Sequence, residues 1–429
     1  MSILKQFRKP EKMIYLILFC GLVLRLIFVF HPGDGADILY FKSRAIDLAR
    51  NGFWQFYRRI GSDEPPFSQY IPKIIGETYC YLTTLWRASD KSYLALWKMP
   101  SFLADLGAAY LLYYWLKREM SLQIALLGAF FYLVNPAIFY NAAVWGQNDS
   151  LFLLIQLVTF FLIYFQKPVA GLAFASLAAL TKTEGLIILP LIIAWVWKRF
   201  RLKEGVKGVG LGLLLAFFLL YPFNKGNLLF LFKNYLEAMN HYPFGSIDAL
   251  NIWWFLGGIK LGDTAKLWFL SWRDWGLIFF SSIYCLVLIL TLSKSQKIHL
   301  LSAASLIWMA AFLFLTRRNG TESVYALPFL ILLCCFSKIK PIPSLALTFW
   351  SLMGVINLQI ALNQPTVLDY HTTKTSLFFA WVLSLAFCSA LLAFVLNLIY
   401  TFKLQTSQTE KRIKYIYFNP ISLIKKEEP

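Results

Sequence analysis

Long apolar blocks with almost no charge fill this chain, separated by short polar clusters. They lie near 13–30, 96–116, 122–141, 150–165, 168–181, 185–197, 208–222, 274–293, 298–315, 324–336, 343–361 and 376–402. A bilayer core about 30 Å thick takes roughly 20 apolar residues to cross as a helix. Inside it, every backbone polar group must be satisfied within the segment, which leaves helices as the spanning element for blocks of this length. The pattern predicts an all-α polytopic membrane protein of about twelve transmembrane helices, with residues 1–402 as one transmembrane domain. The composition agrees: 59% of residues are hydrophobic and only 15% are charged, far from a soluble domain.

Twelve spans place both termini on one side. The segments then predicted to be inside (1–12, 117–121, 166–167, 198–207, 294–297, 337–342 and 403–429) hold 22 of the 41 Lys and Arg residues, in less than half the length of the outer segments. Lys198–Lys207 (KRFRLKEGVK) is the clearest contributor. By the positive-inside rule both termini are cytoplasmic, the membrane is a cell membrane, and 403–429 is a basic cytoplasmic tail. The formal charge of +19 then reflects orientation and anionic headgroups, not nucleic acid. The apolar block after Lys5, Arg8, Lys9 and Lys12 has no small-x-small cleavage site behind it and reads as an uncleaved anchor. The six cysteines show no metal-type spacing and imply no disulfide framework.

Two outer loops are long, 31–95 and 223–273. Residues 67–86 tempt a transmembrane assignment, but Pro72, Lys73 and Glu77 lie within them, and Ile71, Ile74, Ile75, Tyr79, Leu82 and Trp86 share a helical face. An interfacial amphipathic helix is the better reading. Residues 38–50 read the same way, with Ile38, Phe41, Ala45 and Leu48 opposite Lys42, Arg44, Asp47 and Arg50.

The polar clusters gather in loops predicted to share the outer face: HPGDGAD (31–37), VWGQND (144–149), TKTEG (181–185) and TRRNGTES (316–323). Asp34 and Asp37 follow the first span. A carboxylate at a partly dry rim can act as a general base, though Asp37 is equally placed to cap a helix starting at Ile38. Asp63 and Glu64, ahead of Pro65 and Pro66, suit caps, metal ligands or substrate contacts. Lys98 sits at the outer rim, where long basic side chains snorkel. Asp105 lies inside a span, where an ionised group is paired or functional. Trp145, Gln147 and Asp149, with Asn148, offer donors and acceptors suited to sugar hydroxyls. Lys182 and Glu184 form either a turn with a weak ion pair or a phosphate-holding lysine with its tuning acid. Arg317 and Arg318 lie outside, against the topological bias. Their planar donor forks fit phosphate, while simple anchoring is the plainer alternative. Two formal glycosylation sequons, at Asn148 and Asn319, lie too near span ends to serve as glycan sites.

In this order the clusters resemble the GT-C superfamily of polyprenyl-phosphate-sugar-dependent glycosyltransferases, in the branch with the GPI-type and bacterial integral-membrane mannosyltransferases. The patches are GAD-x3-F (35–41), A-x2-L-x4-F-x2-FY (45–57), DEPP (63–66), Lys98-x-Pro100 with Ala104-Asp105, NP-x8-WGQ-x-D (135–149), LTK (180–182), FGSIDALNIWWFLGG (244–258), and TRR (316–318) with Tyr325-x2-Pro328. WGQ-x-D followed by LTK is the strongest pair. The last motif departs from the pattern, with Arg318-Asn319-Gly320 where the family often has an acidic or His-containing stretch.

That resemblance implies an inverting transfer of a sugar, mannose by this branch, from a polyprenyl-phosphate donor to a glycan, lipid or protein acceptor on the extracytoplasmic face. Asp37 takes the place of the catalytic base, with Asp34, Asp63 and Glu64 as secondary acids. Lys182, Arg317 and Arg318 would hold the donor phosphate. Lys98, Asp105, Trp145, Gln147, Asp149, Glu184, Asn251 and Tyr325 would line or support the pocket. No cofactor is implied, and a divalent metal is possible but not indicated. The rivals are a transporter or flippase, which would place charges near mid-membrane in repeated halves, and a polysaccharide polymerase or ligase. Only Asp105 and Arg25 look deep enough for the former.

Overall fold

The computed structural model describes residues 12–62, 64–240, 242–256, 261–294, 297–336 and 341–363. The expected span at 376–402, the tail at 403–429 and Asp63 lie outside the described residues.

The fold is mostly helical. In chain order it comprises α1 (Met13–Ile27), α2 (Gly35–Asn51), α3 (Phe56–Ile60), α4 (Tyr70–Trp86), α5 (Asp90–Glu119), α6 (Leu122–Val134), α7 (Pro136–Phe139), α8 (Asp149–Tyr164), α9 (Pro168–Thr181) and α10 (Gly185–Arg199). Then follow α11 (Leu202–Asn224), α12 (Leu228–Asn240), α13 (Ile252–Phe255), α14 (Trp272–Lys294), α15 (Lys297–Phe314), α16 (Leu327–Phe336) and α17 (Pro341–Asn363). Among the described residues two small β features lie in the second long loop: Lys266–Leu267 pairs antiparallel with Leu270–Ser271 in a hairpin, and Phe244 bridges Gly262.

Local chemistry sets the helix starts. Ser121 caps α6 by accepting from Ile124 N, Asn135 caps α7 through Ala137 N and Ile138 N, and Pro168 opens α9 where its missing N–H costs nothing. Asn135 and Pro136 also bend the chain by 46° between Leu122–Val134 and Pro136–Trp145.

Three helices are long and apolar enough to cross a membrane: Leu202–Asn224, Trp272–Ser293 and Pro343–Leu362. The bent pair is a fourth if counted as one span. These three bury few of their own side chains, and large apolar groups such as Leu213, Phe218 and Ile289 point outward, as lipid contact requires. The chain is thus membrane-associated. Several blocks expected to span are shorter helices, such as Met13–Ile27, Asp149–Tyr164 and Pro168–Thr181. A helix of 15 residues rises only about 22 Å, short of a 30 Å hydrocarbon core. The 30-residue α5 is long enough, but Asp105 and its tyrosines dilute its apolar character.

The main core joins α5, α6, α8–α10 and α14–α17, with Trp115, Phe160, Trp195, Trp308 and Trp350 among its buried side chains. α9 and α11 approach closely because α11 is ridged with glycine. A Cβ on Gly208 would meet the Leu172 side chain at 2.6 Å, and one on Gly212 would meet Ser176 Oγ at 2.1 Å, a small-xxx-small seam.

The two amphipathic segments of the first long loop form helices, α2 and α4, packed on each other and on α5 around Phe41, Tyr79, Tyr93 and Trp97. Arg44, expected on the polar face of α2, is instead 1% exposed and pairs with Glu64 at 2.8 Å. The segment leading into α4 folds back over it, so the face expected to meet solvent meets protein. Phe53, Phe56, Tyr57 and Tyr70 pack around Phe223, tying this loop to the end of α11.

Candidate active site

The site is built on the turn between α7 and α8. After α7 the chain makes one turn of π-helix, Tyr140–Trp145, and leaves it through Gly146 at φ 93°. Such turns widen a helix and free carbonyls for other donors. α5 receives them. Lys98 Nζ donates to Ala143 O and His31 O at 2.7 Å each and to Phe28 O at 3.2 Å. Trp97 Nε1 donates to Gly146 O at 2.8 Å, and Ser101 Oγ lies 2.9 Å from Gln147 O.

The pinned turn presents Trp145 and Gln147 to Asp37. Trp145 Nε1 donates to Asp37 Oδ2 at 3.1 Å and Gln147 Nε2 to the same oxygen at 2.7 Å. The chain reaches this position only through Gly33, at φ 68°. A Cβ there would lie 2.1 Å from Trp145 O, so close backbone approach and a left-handed conformation both demand glycine. The helix cap is Asp34, not Asp37: α2 begins at Gly35, and Asp34 Oδ1 accepts from Asp37 N at 2.8 Å. Asp37 sits in the first turn with its carboxylate free of capping duty. Burial raises its pKa above the ordinary 3.8; Trp145 and Lys182 pull the other way, while Asp34 and Glu64 add to the rise.

Behind this rim lies a buried cluster. Asp149, wholly buried, accepts from Asn141 Nδ2 at 2.9 Å and Tyr325 OH at 2.7 Å, and it pairs directly with Lys182 Nζ. Lys182 Nζ also donates to Tyr325 OH at 3.2 Å. Burial alone would lower the lysine's pKa, but the carboxylates of Asp149 and Glu184 outweigh it and hold the ammonium above its usual range. The two carboxylates thus favour the charged form of Lys182. Its side chain remains 20% exposed, which leaves a face toward a ligand.

Arg318 and Glu322 close the far edge. Arg318 Nη1 donates to Glu322 Oε2 at 2.7 Å, and Glu322 Oε1 accepts from Asn319 N in a capping box. Burial pushes the Glu322 carboxyl up to about 7, against the pull of Arg318. Asp248 is likewise pushed up to about 7 by burial, although it accepts from Gly320 N at 2.5 Å; Asp37, Glu322 and Asp34 contribute to the rise.

Four loops distant in sequence thus meet at one end of the helices. Asp37, Trp145, Gln147, Asp149, Lys182, Tyr325 and Arg318 are brought together, with Glu64 and Glu184 acting on them through space.

Other expected pocket residues are placed elsewhere. Lys98 is fully buried, its ammonium consumed by three carbonyls, so it positions the turn instead of lining the pocket. Asp105 pairs with Arg25 at 2.8 Å and accepts from Tyr132 OH at 3.3 Å, a clamp among α1, α5 and α6. Asn251 caps α13 by accepting from Trp253 N and Trp254 N at 3.1 Å each. Arg317 and Arg318 do not act as a pair. A left-handed turn at Arg317, φ 63°, sends them apart, and Arg317 Nε donates to Asp263 at 2.7 Å.

Asp248, Glu322, Arg44 and Asn141 escaped the sequence reading. Glu322 had a signal in the Asn319-x-x-Glu322 capping spacing. The others gain their roles only from contacts with distant segments. Among the described residues no group of three His, Cys, Asp or Glu side chains is arranged to hold a metal ion.

No protein-family model matches the chain, and no curated protein matches it significantly.

Proposed function

We propose that this chain is an inverting membrane glycosyltransferase that moves a sugar, mannose by the resemblance, from a polyprenyl-phosphate donor to an acceptor hydroxyl. In this reading about twelve spans cross a cell membrane, both termini are cytoplasmic, and the site faces out. The basic Lys198–Lys207 segment supports the orientation, because it lies at the opposite end of α10 from Lys182 and Glu184.

The observation that carries the reading is Asp37. It is a partly exposed carboxylate of raised basicity, oriented by Trp145 and Gln147 and within electrostatic reach of Lys182. Asp37 takes the proton from the acceptor hydroxyl as its oxygen attacks the anomeric carbon. The bond from that carbon to the donor phosphate breaks, and the phosphate departs with the electron pair. A leaving group that already carries charge needs cations more than an acid, and Lys182 and Arg318 supply them. A proton held on Glu322 would leave Arg318 free to turn toward phosphate. Arg317, engaged by Asp263, has no part in this step.

The test is sugar transfer by the purified protein from a synthetic polyprenyl-phosphate mannose, together with mass spectrometry of membrane glycolipids with and without the gene. Identical glycolipid profiles and no transfer would sink the proposal.

A further inference from the structure

A second concave surface lies beside the site. A cleft of about 600 Å³ separates the α3 turn of the first long loop from α12, lined by Tyr57, Ser62, Lys233, Leu236, Glu237 and Asn240. That volume is typical of small-molecule sites.

We infer that this cleft is the subsite for a neutral sugar unit of the acceptor, an assignment that rests on the glycosyltransferase reading. The lining has the two-sided character of a pyranose. Tyr57 and Leu236 offer apolar surface to ring C–H groups. Ser62, Asn240, Lys233 and Glu237 offer donors and acceptors to hydroxyls. The charges cancel: Lys233 Nζ lies 3.6 Å from Glu237 Oε1, both well exposed, and Arg317, which donates to Asn240 Oδ1 at 3.0 Å, is neutralised by Asp263. Among the described lining residues the one cation, Lys233, is exposed beside Glu237, so the cleft offers hydroxyl partners without gathering positive charge and suits a polyol. In the glycosyltransferase reading the donor phosphate lies at Lys182 and Arg318. Behind Ser62, the buried Asn234 donates to Ser62 O at 3.3 Å while its own Oδ1 has no partner among the described residues.

The cleft is also wired to the catalytic side. Tyr57 OH donates to Glu64 O at 2.9 Å, and Ser62 Oγ accepts from Glu64 N at 3.3 Å. The Glu64 carboxylate pairs with Arg44 and acts electrostatically on both Asp37 and Lys182. Glu64 is therefore hydrogen-bonded to two residues of the cleft and acts through space on the site. A sugar seated in the cleft presents its neighbouring unit past Glu64 toward Asp37.

Two measurements test this. Saturation-transfer NMR with a panel of methyl glycosides, methyl α-mannoside included, reads binding without turnover. At least one neutral glycoside should bind wild type, and Leu236→Trp, which fills the cleft, should abolish that signal while inorganic phosphate fails to compete. In transfer assays with octyl glycosides as acceptors, Leu236→Trp should raise the acceptor KM by about tenfold or more and leave the donor KM within about twofold. Glu237→Ala, an exposed change that leaves folding alone, should raise the acceptor KM in the same direction. Glycosides that bind Leu236→Trp as well as wild type would overturn the sugar site. An unchanged acceptor KM in both variants would overturn the acceptor role. Binding in a wild type that transfers nothing would leave a sugar site but remove the glycosyltransferase reading, and the acceptor assignment with it.

Discussion

Tyr325 donates its hydroxyl to Asp149 at 2.7 Å across 176 positions of sequence, and the same hydroxyl accepts from Lys182. One buried carboxylate thus fixes the ends of α8 and α9 to the turn before α16. The arrangement places a cation at the floor of the site without leaving its charge unmatched. Breaking one side of a buried pair strands the other charge, which costs about 3–5 kcal/mol. Asp149→Ala should therefore lower stability by that order, discounted somewhat because Lys182 is partly exposed. Asp149→Ala with Lys182→Met should recover much of the loss. Thermal melts in detergent over the double-mutant cycle decide it. An additive cycle would mean that the pair is not coupled.

Asp37 should behave differently. Asparagine keeps an oxygen to accept from Gln147 and Trp145, so Asp37→Asn should melt near wild type while transfer falls by about 10²–10⁴-fold, as for a lost general base. Its raised pKa also sets a direction for pH. The base works only when ionised, so the wild-type rate should fall at a pH above the ordinary aspartate value of 3.8 as the medium is acidified. A rate that stays flat down to that value would remove Asp37 from the role.

How much of this was legible beforehand varies by residue. The apolar blocks foretold most helix positions, because a 3.6-residue repeat and the Asn, Ser and Pro start signals are local. Counting spans put the Asp37, Trp145, Asp149 and Lys182 loops on one expected face; that Trp145 reaches Asp37 and Lys182 reaches Asp149 is seen only in the fold. What stayed hidden was pairing. Arg318 has its partner Glu322 four residues on, a local spacing, but nothing local points Arg317 to Asp263, 54 positions away. Nor does any local signal say that Lys98 will feed three carbonyls, or that Arg44 will be covered by the segment carrying Glu64.

Asp248 and Glu322 make stability depend on pH with a definite sign. Each carboxyl binds its proton more tightly folded, at about 7, than unfolded. Their contribution is full below the unfolded pKa near 4 and is lost as pH rises through about 7. Melting temperature should decline between pH 5 and pH 8, within a range set by about these two values. Asp248→Asn, which can still accept from Gly320 N, should flatten that decline. A slope equal to wild type would assign the dependence elsewhere.

The two arginines separate by the same kind of reasoning. Arg318 pairs with Glu322 and lies within electrostatic reach of Glu184, whereas Arg317 serves Asp263 and Asn240. An ammonium cannot reproduce a two-pronged guanidinium contact to phosphate oxygens. Arg318→Lys should therefore raise the donor KM, and Arg317→Lys should leave it unchanged. The reverse ranking would return the phosphate to Arg317.

The last prediction concerns orientation, which every functional statement presumes. If successive spans alternate in direction, as the proposed topology requires, positions at one end share a compartment. Arg87, Thr183 and Trp268 flank the site end, while Glu119, Lys167 and Arg201 close the opposite ends of α5, α9 and α11. All six are at least partly accessible, unlike Ser150 and Thr321, which are buried at 2% and 3% exposure and would resist labelling on either side. With single cysteines at these six positions in a background cleared of native cysteine, an impermeant maleimide applied to intact cells should label the first three. The second three should react only after permeabilisation. The basic Lys198–Lys207 segment argues for that polarity. The opposite pattern would put Asp37 in the cytoplasm, where the donor would have to be presented from the inner leaflet. A mixed pattern would mean that a helix between two discordant positions does not cross the bilayer, and the span count would fall with it.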